Sequence, residues 1–287
     1  MGWNGWFRKT DMQVISSKDN EKIKRLAKLC SSRQERREKG LFVLEGARLC
    51  LDALESGVRA REAYLTREGI ERLGERIALL ESRCGALSRL EGNAAAKLSD
   101  TKHPQGVFLL CEMDENVLSG PLCTTKGLLV LSSLQDPGNV GTILRSADAF
   151  GLGGVALSAD CPDPFSPKVL RSAMGSVFRV PIQVVDDLPR FLLELRGAGT
   201  PVYAAALSDQ SVPVLNVPMK GAAVVIGNEG NGLSPEVLAA CEKRVIIPIS
   251  ERCESLNAAV AAAVFAWEIG RSSKNVSRAS DNRGGTA

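Results

Sequence analysis

Short apolar runs alternate along the chain with stretches whose apolar residues recur every three to four positions. This spacing predicts strands alternating with helices. Asp19 and Asn20 stand in capping position before a helix over 21–30, on which Ile23, Leu26, Leu29 and Cys30 share one face. The segment 31–40 is polar throughout and predicts no element. Strands are predicted at 41–44, 62–66 and 106–111, with a helix over 47–56 and a charged amphipathic helix over 68–82. Further on, apolar runs at 128–131, 154–157, 180–185, 202–206, 222–226 and 245–249 read as strands. Helical stretches at 140–150, 167–173, 187–196, 235–242 and 256–269 lie between them. That alternation predicts an α/β chain whose second half is a mostly parallel, doubly covered sheet.

The pattern divides the chain into a flexible start (1–12), a smaller α/β domain (13–112), a linker (113–126), a larger parallel-sheet domain (127–270) and a disordered tail (271–287), polar and rich in Ser and Arg. A net charge of +3 conceals an uneven distribution: +5 over 1–112, −5 over 113–270 and +3 over the tail. The stretch 18–39 carries the whole excess of the first part, which points to a polyanion-binding element. Lys24, Arg25, Lys28, Arg33, Arg36 and Arg37 are its candidate phosphate contacts; a merely solvated charged helix is the plainer alternative.

Eight cysteines are scattered without a Cys-x-x-Cys pair, as expected of thiols in a reducing compartment. The first residues lack the apolar run of a signal peptide and no run is long enough to span a membrane, so a cytoplasmic protein without membrane contact is expected. His103 is the only histidine, which excludes His-based triads and His-rich zinc sites, and no metal is expected. His103 itself reads as a turn residue before Pro104.

Three strand-to-loop junctions in the second half are dense in Gly, Asn and charge. The first, 134–151, holds Asn139, a possible helix cap, and Arg145, whose planar fork of donors suits a phosphate. The second, 224–236, places three glycines and Glu229 between a strand and a helix. Its glycine order is neither the Rossmann nor the Walker pattern, which disfavours a nucleotide-dependent oxidoreductase. The third, 245–267, leads from a strand into an Ala-rich helix, with Ser255 as its expected N-cap. Cys253 lies there with no histidine base beside it.

Together these loops resemble the motifs of the SpoU (TrmH-like) family of SPOUT-class RNA methyltransferases: Asn139-x-Gly141-x-Ile143-x-Arg145, Gly227-Asn-Glu-Gly-x-Gly232, and Ile247-Pro-x-Ser followed by Glu254-Ser-Leu-Asn257. Residues 15–20 through 42–46 resemble the family's N-terminal RNA-binding domain, and 103–107 the segment that leads out of it. The resemblance implies a C-terminal SPOUT domain with a trefoil knot, a smaller L30e-like domain, an obligate homodimer and S-adenosylmethionine as methyl donor. It implies transfer to a ribose 2′-hydroxyl in RNA, ribosomal RNA before tRNA. Asn139, Arg145, Glu229, Ser255 and Asn257 map onto the family's catalytic positions, and Gly227, Ile247 and Leu256 onto its donor-binding backbone. Glu251 stands where the family commonly has Gly, so a side chain there could narrow the donor pocket. A base-nitrogen methyltransferase and an inactive RNA-binding protein of the same fold are the competing readings.

Overall fold

In the computed structural model the chain divides into two compact units, residues 1–113 and 114–287. Residues 12–99, 104–113, 121–250 and 252–281 are described, with side chains to 273. Residues 1–11, 100–103 with His103, 114–120 of the 113–126 connector, Glu251 and the chain from 282 on lie outside the described residues.

The first unit follows β1 (Gln13–Ile15) with α1 (Glu21–Ser31), opened by the Asn20 side chain accepting from the Lys22 N–H at 2.9 Å. Ile23, Leu26 and Leu29 are the buried stripe of α1. The polar stretch that follows is a second helix, α2 (Arg33–Lys39), capped by Ser32. It escapes a hydrophobic-period reading because its buried positions are charged: Glu35 and Arg36. Next come β2 (Leu41–Glu45), α3 (Ala47–Glu55), β3 (Ala60–Leu65), α4 (Arg67–Leu73), α5 (Ile77–Arg83), β4 (Ala86–Leu90), α6 (Asn93–Leu98) and β5 (Val107–Glu112). The single helix predicted over 68–82 is two, parted by a 3-10 turn at Gly74–Arg76 that begins with Gly74 at φ 54°. The sheet order is β1-β4-β3-β5-β2, with β5 antiparallel to both neighbours and the other pairings parallel. Ile15, Val43, Tyr64, Phe108 and Leu110 meet the apolar stripe of α1 in one core.

The second unit is a seven-stranded, wholly parallel sheet. Its strands are β6 (Leu128–Leu131), β7 (Val155–Ser158), β8 (Ile182–Val185), β9 (Val202–Ala205), β10 (Val212–Pro213), β11 (Ala223–Ile226) and β12 (Lys243–Ile246). They stand in the order β10-β12-β9-β11-β6-β7-β8. Every residue of β6, β7 and β11 is buried, because helices cover both faces. On one face α9 (Leu188–Gly197) and α10 (Pro235–Ala240) pack Leu188, Leu192, Leu195 and Val237 onto Leu128, Val130 and Val225. Elsewhere α7 (Pro137–Phe150) packs on α8 (Pro167–Ala173) and on α11 (Ala258–Asp281). A Cβ on Gly141 would lie 2.6 Å from the Val169 carbonyl oxygen, so glycine sets how closely α7 and α8 approach. The strand predicted over 245–249 stops at Ile246, two residues before Pro248, which has no N–H for a ladder. The last helix continues to Asp281, past the point where the composition turns polar. Among the described residues no helix is long and apolar enough to cross a membrane.

Candidate active site

The three loops leave the carboxyl ends of β6, β11 and β12. Leu131 and Ile226 are register partners in adjacent strands, so the first two loops start side by side. The first turns into α7 with Pro137 at its opening and Asp136, not Asn139, as the cap. The Asp136 carboxylate accepts from the Gly138 N–H at 3.0 Å and pairs with Lys168 at 2.8 Å. Asn139 is therefore free of capping duty and turns inward, only 8% exposed. Its Nδ2 donates to Glu229 Oε1 at 2.8 Å, and its Oδ1 accepts from Asn257 Nδ2 at 3.1 Å. Asn257 in turn caps α11, its Oδ1 accepting from the N–H groups of Ala259 at 2.9 Å and Val260 at 3.2 Å. The cap expected at Ser255 thus belongs to Asn257, and Ser255 lies exposed ahead of the helix.

One chain of hydrogen bonds joins all three loops, and it fixes the amides. The carboxylate only accepts, so Asn139 must face it with nitrogen, and each amide further on follows. Glu229 also accepts from the backbone N–H groups of Gln135 at 3.0 Å and Asp136 at 3.4 Å. Burial works against its charge, but the bonds from Asn139, its own backbone, Gln135 and Asp136 outweigh that and hold its carboxyl below the usual range. The backbone donors at 135 and 136 carry no side-chain signature and escape a motif reading. Asn228 is a further residue that motif reading left without a role. It donates to the Ser133 carbonyl at 2.6 Å and accepts from the N–H groups of Gly230 and Asn231, shaping the loop that presents Glu229. A Cβ on Gly227 would lie 2.6 Å from the Gly232 carbonyl carbon, so this glycine is required by the loop itself.

Arg145 is not part of this chain. It sits six residues beyond Asn139, roughly 120° round the helix, is exposed, and has no recorded partner among the described residues. Gly227 opens the second loop. Ile247 and Leu256 lie in the irregular segment between β12 and α11, Ile247 half-buried and Leu256 exposed. Because β9 stands between β11 and β12, the loops after all three strands emerge together. They expose Leu207, Ile249 and Leu256 beside backbone that belongs to no strand or helix. Apolar surface next to backbone outside strands and helices suits a ligand with a planar ring and a polar tail, which is the make-up of S-adenosylmethionine.

The basic stretch 18–39 is largely engaged within its own unit. Lys24 pairs with Glu21, Arg25 with Glu62 and Lys28 with Glu35. Arg36 is 3% exposed, its guanidinium donating to the carbonyls of Leu29 at 2.7 Å and Cys30 at 3.3 Å. This corrects its reading as a phosphate contact: it closes the end of α1 and has no open face for a ligand. Arg33 is half-buried and Arg37 is exposed.

Residues 126–267 match the SpoU rRNA Methylase family and residues 20–109 the MRM3-like substrate binding domain. The chain is 35% identical over 262 residues to the 23S rRNA (guanosine(2553)-2′-O)-methyltransferase RlmP of Bacillus subtilis, covering 90% of this chain and 99% of that protein. It is 30% identical over 295 residues to rRNA methyltransferase 3, mitochondrial, of Homo sapiens, covering 84% of this chain and 70% of that protein. The crystal structure of an AdoMet-bound rRNA methyltransferase from Sinorhizobium meliloti is similar with a TM-score of 0.76 at 29% identity, over 91% of this chain and 97% of that one. A chain that carries the family's two domains in order, and is matched over nine-tenths of its length by such a relative, belongs to the SpoU rRNA methylase family.

Proposed function

We propose that this protein transfers a methyl group from S-adenosylmethionine to a ribose 2′-hydroxyl of ribosomal RNA. The observation that carries the reading is the Glu229–Asn139–Asn257 chain, which locks three separate strand ends into one constellation without a histidine. The donor supplies an electrophilic methyl, and its binding falls to the backbone of Gly227, Ile247 and Leu256. Displacement at a methyl carbon needs the nucleophile in line, so positioning is the chief task of the protein. Arg145, exposed and with no recorded partner, anchors the phosphate beside the target ribose. Its guanidinium stays charged, so we assign it the anchor and not the proton. Glu229, held ionised, and Asn139 keep the first two loops in register. Asn257 and Ser255 present the third. A 2′-hydroxyl target accounts for the choice of RNA over DNA.

The finer features follow the same reading. The return of the chain through β12 and residues 247–257 into α11 is taken as the crossing of a trefoil knot, and the five-stranded mixed sheet as an L30e-like RNA-binding domain. On α11, Val260 (50% exposed) and Trp267 (52%) lie seven residues apart on one face, an apolar stripe that supports a homodimer. A cytoplasmic location goes with this assignment. Incubating the purified chain with S-adenosylmethionine and unmodified ribosomal RNA, then mapping 2′-O-methyl groups by nuclease digestion and mass spectrometry, tests the reaction. The methyl on a base nitrogen would overturn it.

A further inference from the structure

The loop after β6 holds a backbone conformation that its sequence does not favour. Ser133 has a φ of 54°, in the left-handed region where a Cβ crowds the backbone. Among the described residues the other non-glycine with positive φ is Met174, which directly follows α8, a place where helices commonly end in this conformation. Ser133 lies two residues past the end of a strand, so no helix end accounts for it. A strained residue persists because its surroundings hold it there, and such positions gather at working sites.

Two neighbouring strand ends supply the hold. The Ser133 N–H donates to the Ser158 hydroxyl at 2.8 Å. The Ser133 carbonyl accepts from Asn228 Nδ2 at 2.6 Å and from Gln135 Nε2 at 3.2 Å. Ser158 is the last residue of β7 and is buried. Leu131 and Leu157 are register partners, which brings Ser158 beside the start of the loop. The Ser158 hydroxyl in turn donates to Asp160 Oδ1 at 2.5 Å. A carboxylate only accepts, so this bond takes the single hydroxyl proton and leaves the oxygen's lone pairs for the Ser133 N–H. Two residues beyond Ser133, the N–H groups of Gln135 and Asp136 hold Glu229. The backbone conformation at Ser133 therefore sets the direction in which the chain enters the segment that fixes Glu229.

We propose that Ser158 is a positioning residue for methyl transfer. With Asp160 orienting its hydroxyl, it locks Ser133 in the left-handed conformation. Through Ser133 it aims the N–H groups of 135 and 136 at Glu229 and gives Asn228 the acceptor that shapes the second loop. It acts on this backbone and not on the reacting atoms. The inference rests on the ribose 2′-O reading and adds a fourth strand end, that of β7, to the three that carry the motifs. No motif points to it, because its partner in the first loop is a backbone N–H.

The test uses the full chain with S-adenosylmethionine and ribosomal RNA. It reads kcat at saturating substrates, at a temperature where circular dichroism finds the variant folded, so a loss of stability alone leaves kcat unmoved. Ser158→Ala lowers kcat about tenfold, because a small misplacement of reacting groups is costly, and leaves KM for RNA within about twofold. Glycine takes positive φ freely and does not need the bond from Ser158, so Ser158→Ala added to Ser133→Gly lowers kcat less than about twofold. Asp160→Ala, a change at an exposed position, lowers kcat about threefold and is suppressed by Ser133→Gly in the same way. It decides the matter if Ser158→Ala does not fold. Asp160→Asn, which keeps an acceptor, recovers most of that loss. An unchanged kcat, or an equal loss with and without Ser133→Gly, overturns the proposal and leaves the methyltransferase reading standing. A wild type that methylates no ribose overturns the underlying reading, and this one with it.

Discussion

Replacing Asn139 by Asp changes almost nothing in shape and reverses the polarity of the central hydrogen bond. Asn139 Nδ2 donates to Glu229 Oε1 at 2.8 Å; the new carboxylate has no proton to give. Losing a hydrogen bond to a charged group costs about 1.5–3 kcal/mol. Two charges at this distance repel by ~6 kcal/mol at an effective dielectric near 20, but Glu229 is exposed and water screens it, so the lower end applies and we expect a total of about 3 kcal/mol. The penalty depends on pH. In the wild type the Glu229 carboxyl is depressed, so its contribution is present above the unfolded value, the ordinary 4.5 of a glutamate, and is lost as pH falls through the folded value. In Asn139→Asp the pair shares one raised pKa, so the penalty is full at pH 8 and shrinks as pH falls towards 5 and one proton restores a donor. Urea unfolding at the two pH values measures this. Adding Glu229→Gln supplies an amide that can donate to the new carboxylate, and the double variant regains most of the lost stability at pH 8. An equal loss at both pH values, or no recovery in the double variant, would refute this account of the site.

Arg145→Ala abolishes methyl transfer while calorimetry finds S-adenosylmethionine binding unchanged; near-normal turnover would sink the anchor assignment. Arg36→Ala lowers the unfolding free energy by about 2–3 kcal/mol, because two carbonyls at the end of α1 lose their donor. Arg37→Ala leaves stability within about 0.5 kcal/mol and weakens RNA binding, which itself falls steeply with added salt. Gly141→Ala forces α7 off α8 and costs roughly 1–3 kcal/mol in thermal unfolding. Val260→Asp with Trp267→Lys yields monomers in analytical ultracentrifugation; an unchanged dimer would remove α11 from the interface.

The parallel sheet was legible because its central strands are apolar at every position. β6 and β11 carry nothing but Leu, Val, Ile and Ala. β1 and α2 were not, since one is three residues with only Ile15 buried and the other buries charges. The site was half legible. Motif spacing picked out Asn139, Glu229 and Asn257, and those are the residues that meet. Local cap preference chose wrongly at two loops, naming Asn139 where Asp136 caps and Ser255 where Asn257 does. Pro137 was the available clue at the first, since proline favours the first helical position and so puts the cap at Asp136. Charge counting could not see which of the cations are paired or buried. The partner of Arg25 is Glu62, 37 residues away, and that of Lys28 is on another helix.

The hydrogen-bond chain also has a temporal side. Its members come from positions 139, 229 and 257, and the last also starts α11. During synthesis, then, the strands that carry the first two loops can pair long before the third loop exists. A chain still being made has no complete constellation until α11 has begun to form and Asn257 has docked. A copy cut short before Asn257 therefore keeps both sheets' central strands but lacks the bond that ties the third loop to the first two.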